Sequence, residues 1–165
     1  MVYGKTVLFT ILVQGFATVA LPYILLSSGT QGLTFHLGVW RLVGVSLIVL
    51  GAGINLLCGW EFAFRGEGTP AVWDPPQTLV ATGLYQYTRN PMYLGIDLLL
   101  LGEAVLFESW VLLGYAILVG AGVYLVVLYY EEPTLARKFG VTYEVYRVRV
   151  PRWLPFPRVQ SKAGE

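Results

Sequence analysis

Four residues that could carry chemistry fall close together in the chain: Arg89, Tyr93, Asp97 and Glu103. At about 100° per residue of helix they project within a sector of about 120°, one polar face on an otherwise apolar segment. Acids in such a segment are costly against lipid and ordinarily face a partner or a water-filled cavity. A charge network that only fixes helix packing is the competing reading, above all for Arg89 with Asp97. A second acidic feature, Glu131-Glu132, follows Tyr129-Tyr130 at the end of an uncharged run. Acids at a helix C-terminus oppose the macrodipole, which prefers cations there. They read either as solvated acids at headgroup level or as carboxylates placed for a bound cation or for sugar hydroxyls.

The elements that must position these residues follow from hydropathy. Apolar residues make up 56% of the chain and charged residues 13%, with a mean hydropathy of +0.63. A soluble domain carries about 25% charged residues. Four apolar segments, 6–28, 37–60, 91–107 and 110–130, are each read as a helix crossing a hydrocarbon layer of about 30 Å. For the first, a signal peptide is the competing reading, but its apolar core would be shorter, about 7–15 residues. Pro22 is expected to kink that helix. Gly44, Gly51 and Gly53 in the second should let a partner helix approach closely. The small residues of the fourth (Gly114, Ala116, Gly120, Ala121, Gly122) predict a tight hairpin with the third across the short turn at 108–109. Residues 142–148 read as a short interfacial helix with Tyr143, Tyr146 and Trp153 near the headgroups. The fold class is therefore all-α, a polytopic membrane helical bundle of about four spans in one domain.

Net charge is +1, so no attraction to a polyanion such as nucleic acid is implied. The single cysteine, Cys58, excludes a disulfide framework and a cysteine-cluster metal site, and it reads as a buried thiol. His36 reads as an interfacial histidine, not a metal ligand. Seven of the 11 Lys and Arg residues lie at or after Arg137, while the connections at 29–36 and 108–109 hold none. The positive-inside rule then places both termini and the long 59–90 connection in the cytoplasm, and the expected location is a prokaryotic inner (plasma) membrane. That connection is too long for a simple turn, and loops of this length are usually functional. It ends in Gln77-Thr78-Leu79-Val80, then Tyr85, Thr88, Arg89, Asn90, Pro91, Met92 and Tyr93. If spans three and four are antiparallel, this stretch and Glu131-Glu132 meet at one membrane depth.

Four segments agree in order and spacing with a known superfamily. They are Leu79-Val80-x-x-Gly83-x-Tyr85-x-x-x-Arg89-Asn90-Pro91-x-Tyr93-x-Gly95; Glu131-Glu132; Phe139-Gly140-x-x-Tyr143-x-x-Tyr146; and Val150-Pro151-Arg152. Together they resemble the isoprenylcysteine carboxyl methyltransferase and phospholipid methyltransferase superfamily over roughly 66–157. The resemblance implies an enzyme that binds S-adenosylmethionine within the membrane domain, open to the cytosol. It implies a cofactor shell of Gln77, Thr78, Leu79, Val80, Tyr85, Asn90, Pro91, Met92, Tyr93, Glu131 and Glu132, with Arg89 and Glu132 as catalytic residues and no metal. Asn90 stands where many members have histidine. Val127 stands one turn before Glu131, where the prenylcysteine enzymes have an arginine that handles the substrate.

Methyl transfer from a sulfonium is an in-line displacement, in which the protein positions the reactants and shapes the field. Tyr85, Tyr87, Tyr93 and Tyr130 are candidate cation–π partners, worth about 1–2 kcal/mol when desolvated. A carboxylate acceptor is already ionised and needs no base. An amine acceptor must lose a proton, and Glu131, Glu132 or Asp97 could take it. The expected activity is methylation of a lipid-like or prenylated acceptor from the bilayer, resembling prenylcysteine carboxyl O-methylation, with phospholipid N-methylation as the alternative. A non-catalytic transporter or assembly factor would account for Asp97 and Glu103 as an ion path, but not for the signature at the loop and two helix ends. The basic tail reads as positive-inside anchoring, with anionic headgroups as partners.

Overall fold

The structure, a computed structural model, describes residues 10–28, 34–61 and 78–153. Residues 6–9 of the first apolar segment, residues 62–77 of the 59–90 connection with Gln77 among them, and the tail beyond 153 lie outside it.

The described residues are helical apart from turns and short extended links. Helix α1 occupies 10–27, with wide π turns at Thr10–Gln14 and Phe16–Ala20 before Leu21–Ser27. Pro22 follows closely on the π turn Phe16–Ala20, whose wider coil leaves room for the proline ring. A tight turn, Gly38–Leu42, leads into α2, Val43–Glu61. Asn90 precedes α3, Pro91–Leu106, whose first residue is a proline with its φ preset for a helix. Ser109 then caps α4, Trp110–Val126, its hydroxyl accepting from the Leu112 amide at 3.3 Å. A π turn, Val127–Glu131, joins α4 to α5, Glu132–Phe139, and Gly140 at φ +52° separates α5 from α6, Val141–Arg149.

Among the described residues two helices are long and apolar enough to cross a membrane, Gly38–Glu61 and Trp110–Phe139. The apolar stretch Leu12–Ser27 and the 16-residue α3 are shorter. The two long helices leave large side chains uncovered: Val49, Leu56, Leu57, Ile117, Leu118 and Leu125 are all more than half exposed. A soluble protein rarely tolerates so much contiguous apolar surface, whereas lipid does.

Packing corrects three expectations. The tightest pair is α2 with α3, not α3 with α4. A Cβ on Gly44 would sit 2.5 Å from the Gly102 carbonyl, and one on Gly51 would sit 2.5 Å from the Gly95 carbonyl. Both helices thus present glycines two turns apart, in antiparallel register, and the backbones touch. Gly53, Gly114 and Gly122 have open space instead. The second correction concerns the fourth span, which continues through Glu131-Glu132 to Phe139 without a break. The two acids therefore do not terminate a helix. Pro133 in a regular helix would clash with a carbonyl one turn back. The wider π turn immediately before it relieves that clash. Third, Tyr143 and Tyr146 are 2% and 9% exposed, so they are core residues and not headgroup anchors.

The core near the chain's polar end consists of two clusters. Cys58, Val80, Tyr85 and Met92 form one, with Ile54 and Leu84 against it. Tyr143, Tyr146 and Val150 form the other, with Leu79, Leu135, Ala136 and Phe139 packed around them. The candidate site lies between these clusters.

Candidate active site

The segment before α3 is held from two sides. Gly83 adopts φ +56°, which favours glycine, and a Cβ there would displace the Glu61 carboxylate, 2.7 Å away. Beside it the Thr82 hydroxyl donates to Glu61 Oε2 at 2.6 Å. The turn Gly83–Gln86 directs Tyr85 inward, and its carbonyl accepts from the Tyr146 hydroxyl at 2.7 Å. On the other side, Arg89 N donates to the Pro151 carbonyl at 2.9 Å. The Thr88 hydroxyl and Asn90 Nδ2 both donate to the Arg152 carbonyl, at 3.1 and 3.0 Å. Residues 151–152 therefore strap the entry to α3.

Glu132 is the electrostatic centre. Its carboxylate is 8% exposed and accepts two hydrogen bonds from Arg152, Nε at 2.7 Å and Nη2 at 2.8 Å. Arg89 Nη1 approaches the same Oε1 at 2.9 Å and donates to the Tyr143 hydroxyl at 3.3 Å. A fork-to-fork arginine pair of this kind is strong and geometrically specific. Glu131 stands in contrast: it accepts from the Tyr93 hydroxyl at 3.0 Å, and no cation pairs with it among the described residues. Burial pushes the Tyr85 phenol well above its ordinary value, with Cys58 and Glu131 adding to the effect. Burial also raises Tyr143, helped by Glu132 and opposed by Arg89, and it raises Tyr146 against the same arginine. All three stay neutral donors at working pH. The Glu132 hydrogen bonds hold the Arg152 guanidinium above its ordinary value, so it stays charged.

Leu79, Val80, Tyr85, Arg89, Asn90, Glu131, Glu132, Leu135, Tyr143 and Tyr146 line one cavity of about 50 Å³. Sites that enclose a whole small molecule measure roughly 300–1,000 Å³. A space of this size could hold only one end of such a molecule. Arg89 Nε is buried and meets no hydrogen-bond partner among the described residues. A donor left in this state signals a missing acceptor, since buried polar groups are otherwise satisfied.

The structure thus brings seven of the sequence-predicted residues to one cavity: Leu79, Val80, Tyr85, Arg89, Asn90, Glu131 and Glu132. Tyr93 joins through Glu131, and Met92 is buried behind the wall in the Cys58 cluster. Pro91 is buried at the start of α3. Thr78 does not line the cavity, and Gln77 lies outside the described residues. Tyr87 and Tyr130, candidate cation–π partners, point outward at 64% and 51% exposure. The polar face inferred for α3 forms in part: Tyr93 and Asp97 both turn toward the α4 side, Tyr93 to Glu131 and Asp97 to Gly120, where a Cβ would be 3.3 Å from its Oδ1. Arg89 lies before the helix and is not part of that face. Sequence reasoning misplaced Tyr143 and Tyr146 and assigned no role to Leu135 or Arg152. The Phe139-Gly140-x-x-Tyr143-x-x-Tyr146 spacing carries a signal for the tyrosines, because a step of three puts both on one helix face.

The comparison with curated proteins returns no match. The family described as Phospholipid methyltransferase matches residues 39–142, from the start of α2 into α6. That match covers the glycine-packed pair α2 and α3, the segment leading into Asn90, and the two glutamates. The chain belongs to the phospholipid methyltransferase family, within the superfamily of membrane methyltransferases.

Proposed function

We propose that this protein transfers a methyl group from S-adenosylmethionine to the amine of a phospholipid-type acceptor. The observation that carries this reading is the unequal state of the two glutamates. Arg89 and Arg152 both pair with Glu132, and valine stands at position 127, so among the described residues no second arginine lines the cavity to receive an acceptor carboxylate besides the one facing the cofactor. Glu131 lines the same cavity without a cation partner. A carboxylate in that position attracts an ammonium and can take its proton. This reverses the order suggested by resemblance alone, in which carboxyl O-methylation came first.

S-adenosylmethionine would supply an electrophilic methyl group on a sulfonium. The chain's own residues supply the rest. The unpartnered Arg89 Nε suits the carboxylate at the methionine end of the cofactor, with Asn90 beside it. Tyr85, Tyr143 and Tyr146 give aromatic walls and neutral hydroxyls. Glu131 holds the acceptor's proton at its carboxylate, with the Tyr93 hydroxyl fixing the carboxylate's orientation. Glu132 acts as a positioning residue that fixes Arg89 and Arg152. In this reading all four apolar segments lie in the bilayer with both termini cytoplasmic. The acceptor enters laterally and the cofactor from the cytosol.

The test supplies purified protein in detergent with methyl-labelled S-adenosylmethionine and two acceptors, phosphatidylethanolamine and a synthetic prenylated cysteine. The expected result is label in the phospholipid, falling at least about 100-fold in Glu131→Gln, in line with loss of a general base. Label in the prenylated cysteine alone would overturn the amine reading and leave the methyltransferase reading intact.

A further inference from the structure

A second depression lies at the end of the bundle opposite the cleft. It is lined by His36, Gly38, Val39, Arg41, Leu42 and Glu108 and encloses about 450 Å³. Nothing in methyl transfer uses it. Its floor is locked in place. Glu108 adopts φ +51°, a left-handed conformation that costs a residue with a side chain. Its Oε1 accepts from the amides of Leu37 and Gly38, at 2.7 and 3.1 Å, and its carbonyl accepts from Phe35 at 2.9 Å. The turn between α3 and α4 is therefore clamped to the chain that enters α2.

Above this floor stand the two basic side chains, Arg41 and His36. Arg41 has no carboxylate partner among the described residues. It belongs to the turn Gly38–Leu42, at the tip of a helix long enough to cross a membrane. Its surroundings are apolar and uncovered: Val39 and Trp40 are 72% and 71% exposed, with Phe107 and Trp110 beyond half. Phe35 packs edge-on against Trp110 at 4.9 Å. Tryptophans at such a level mark the boundary between hydrocarbon and headgroups. A guanidinium at that depth favours an anion, and phosphate oxygens match its fork.

We propose that this depression is a binding site for the phosphodiester headgroup of a phospholipid in the leaflet opposite the cleft. Arg41 grips the phosphate, His36 donates a second hydrogen bond, and the exposed Val39, Leu42 and Trp40 lie along the acyl chains. The site is structural or regulatory and distinct from the methyl acceptor's, and it does not depend on the methyltransferase reading.

Native mass spectrometry of the delipidated full chain in detergent tests this, with dioleoylphosphatidylglycerol, uncharged dioleoylglycerol or soluble glycerol phosphate added. The wild type should retain one phosphatidylglycerol, with dioleoylglycerol not retained and glycerol phosphate failing to displace the lipid. Arg41→Gln should lower retention about ten-fold, the loss of one charge-assisted contact, and Arg41→Lys should recover part of it. Both variants replace an exposed side chain, and a thermal unfolding curve confirms that each is folded. Equal retention by wild type and Arg41→Gln would overturn the proposal. So would equal retention of dioleoylglycerol, or saturation by glycerol phosphate.

Discussion

Glu131 and Glu132 are neighbours in the chain but differ in what surrounds them. Glu132 is buried between two arginines, and among the described residues Glu131 accepts only from a phenol. Their variants should therefore fail differently. Glu132→Gln leaves Arg89 and Arg152 without their counter-charge, and breaking a buried pair typically costs about 3–5 kcal/mol. A clear fall in melting temperature is expected, with loss of cofactor binding as its consequence. Glu131→Gln keeps an acceptor for Tyr93 and should melt within a few degrees of wild type while losing activity. Thermal unfolding and a turnover assay on the same samples separate the two cases. Arg152→Ala removes the guanidinium that orients Glu132, and through it Arg89, and should weaken S-adenosylmethionine about ten-fold, while the backbone carbonyl of residue 152 still holds Thr88 and Asn90. Arg152→Lys should restore only part of that, because an ammonium cannot make the paired contacts. The residue types at this site are legible in sequence, as are their segments. Their division of labour is not, because it depends on Arg152 returning from the far end of the chain.

Among the elements, the α2–α3 pair carries the sharpest expectation. Gly51→Leu places a side chain against the Gly95 carbonyl and must push the helices apart, so folded yield should collapse. Gly53→Ala meets nothing within 4 Å and should be neutral or slightly stabilising, by up to about 1 kcal/mol, since alanine favours helix. Folded yield from size exclusion checks both. A second expectation concerns pH and the buried phenol of Tyr146 in α6. Its folded value lies above the unfolded one, so the unfolded chain sheds its proton first as pH rises. The associated stability is complete below about pH 10, the ordinary phenol value, and drains away above it. Melting temperature should fall in that window, and less steeply in Tyr146→Phe. That variant also loses the hydrogen bond to the Tyr85 carbonyl, about 1 kcal/mol at neutral pH. The charge-free runs reveal the helices in sequence. They do not reveal pairing, because Gly44, Gly51, Gly53, Gly114 and Gly122 look alike until a partner backbone is placed beside them. The continuation of α4 into α5 is hidden for another reason: Pro133 and two acids resemble a helix end, and a π turn removes the need for one.

At the scale of the whole molecule, the antiparallel register of α2 and α3 sets the cleft and the Glu108 turn at opposite ends. If the apolar segments cross the bilayer, those ends face opposite compartments. With Cys58 replaced by serine, Tyr87→Cys and Phe107→Cys should react with a membrane-impermeant maleimide from opposite sides. Both positions are more than half exposed. Labelling of both from one side would contradict the transmembrane arrangement. The expectation of this arrangement comes from hydropathy and that of its direction from charge asymmetry, and the labelling tests both. The cleft's closure by residues 150–152 is a long-range contact that no local pattern reports.

The central claim is that the Arg89–Glu131 cleft holds S-adenosylmethionine, and calorimetric titration of the cofactor into purified protein tests it most directly. The account predicts a saturable one-to-one isotherm that weakens about ten-fold or more in Arg89→Lys, which keeps the charge but loses the Nε donor. An isotherm without saturation, or one unchanged in Arg89→Lys, would contradict it.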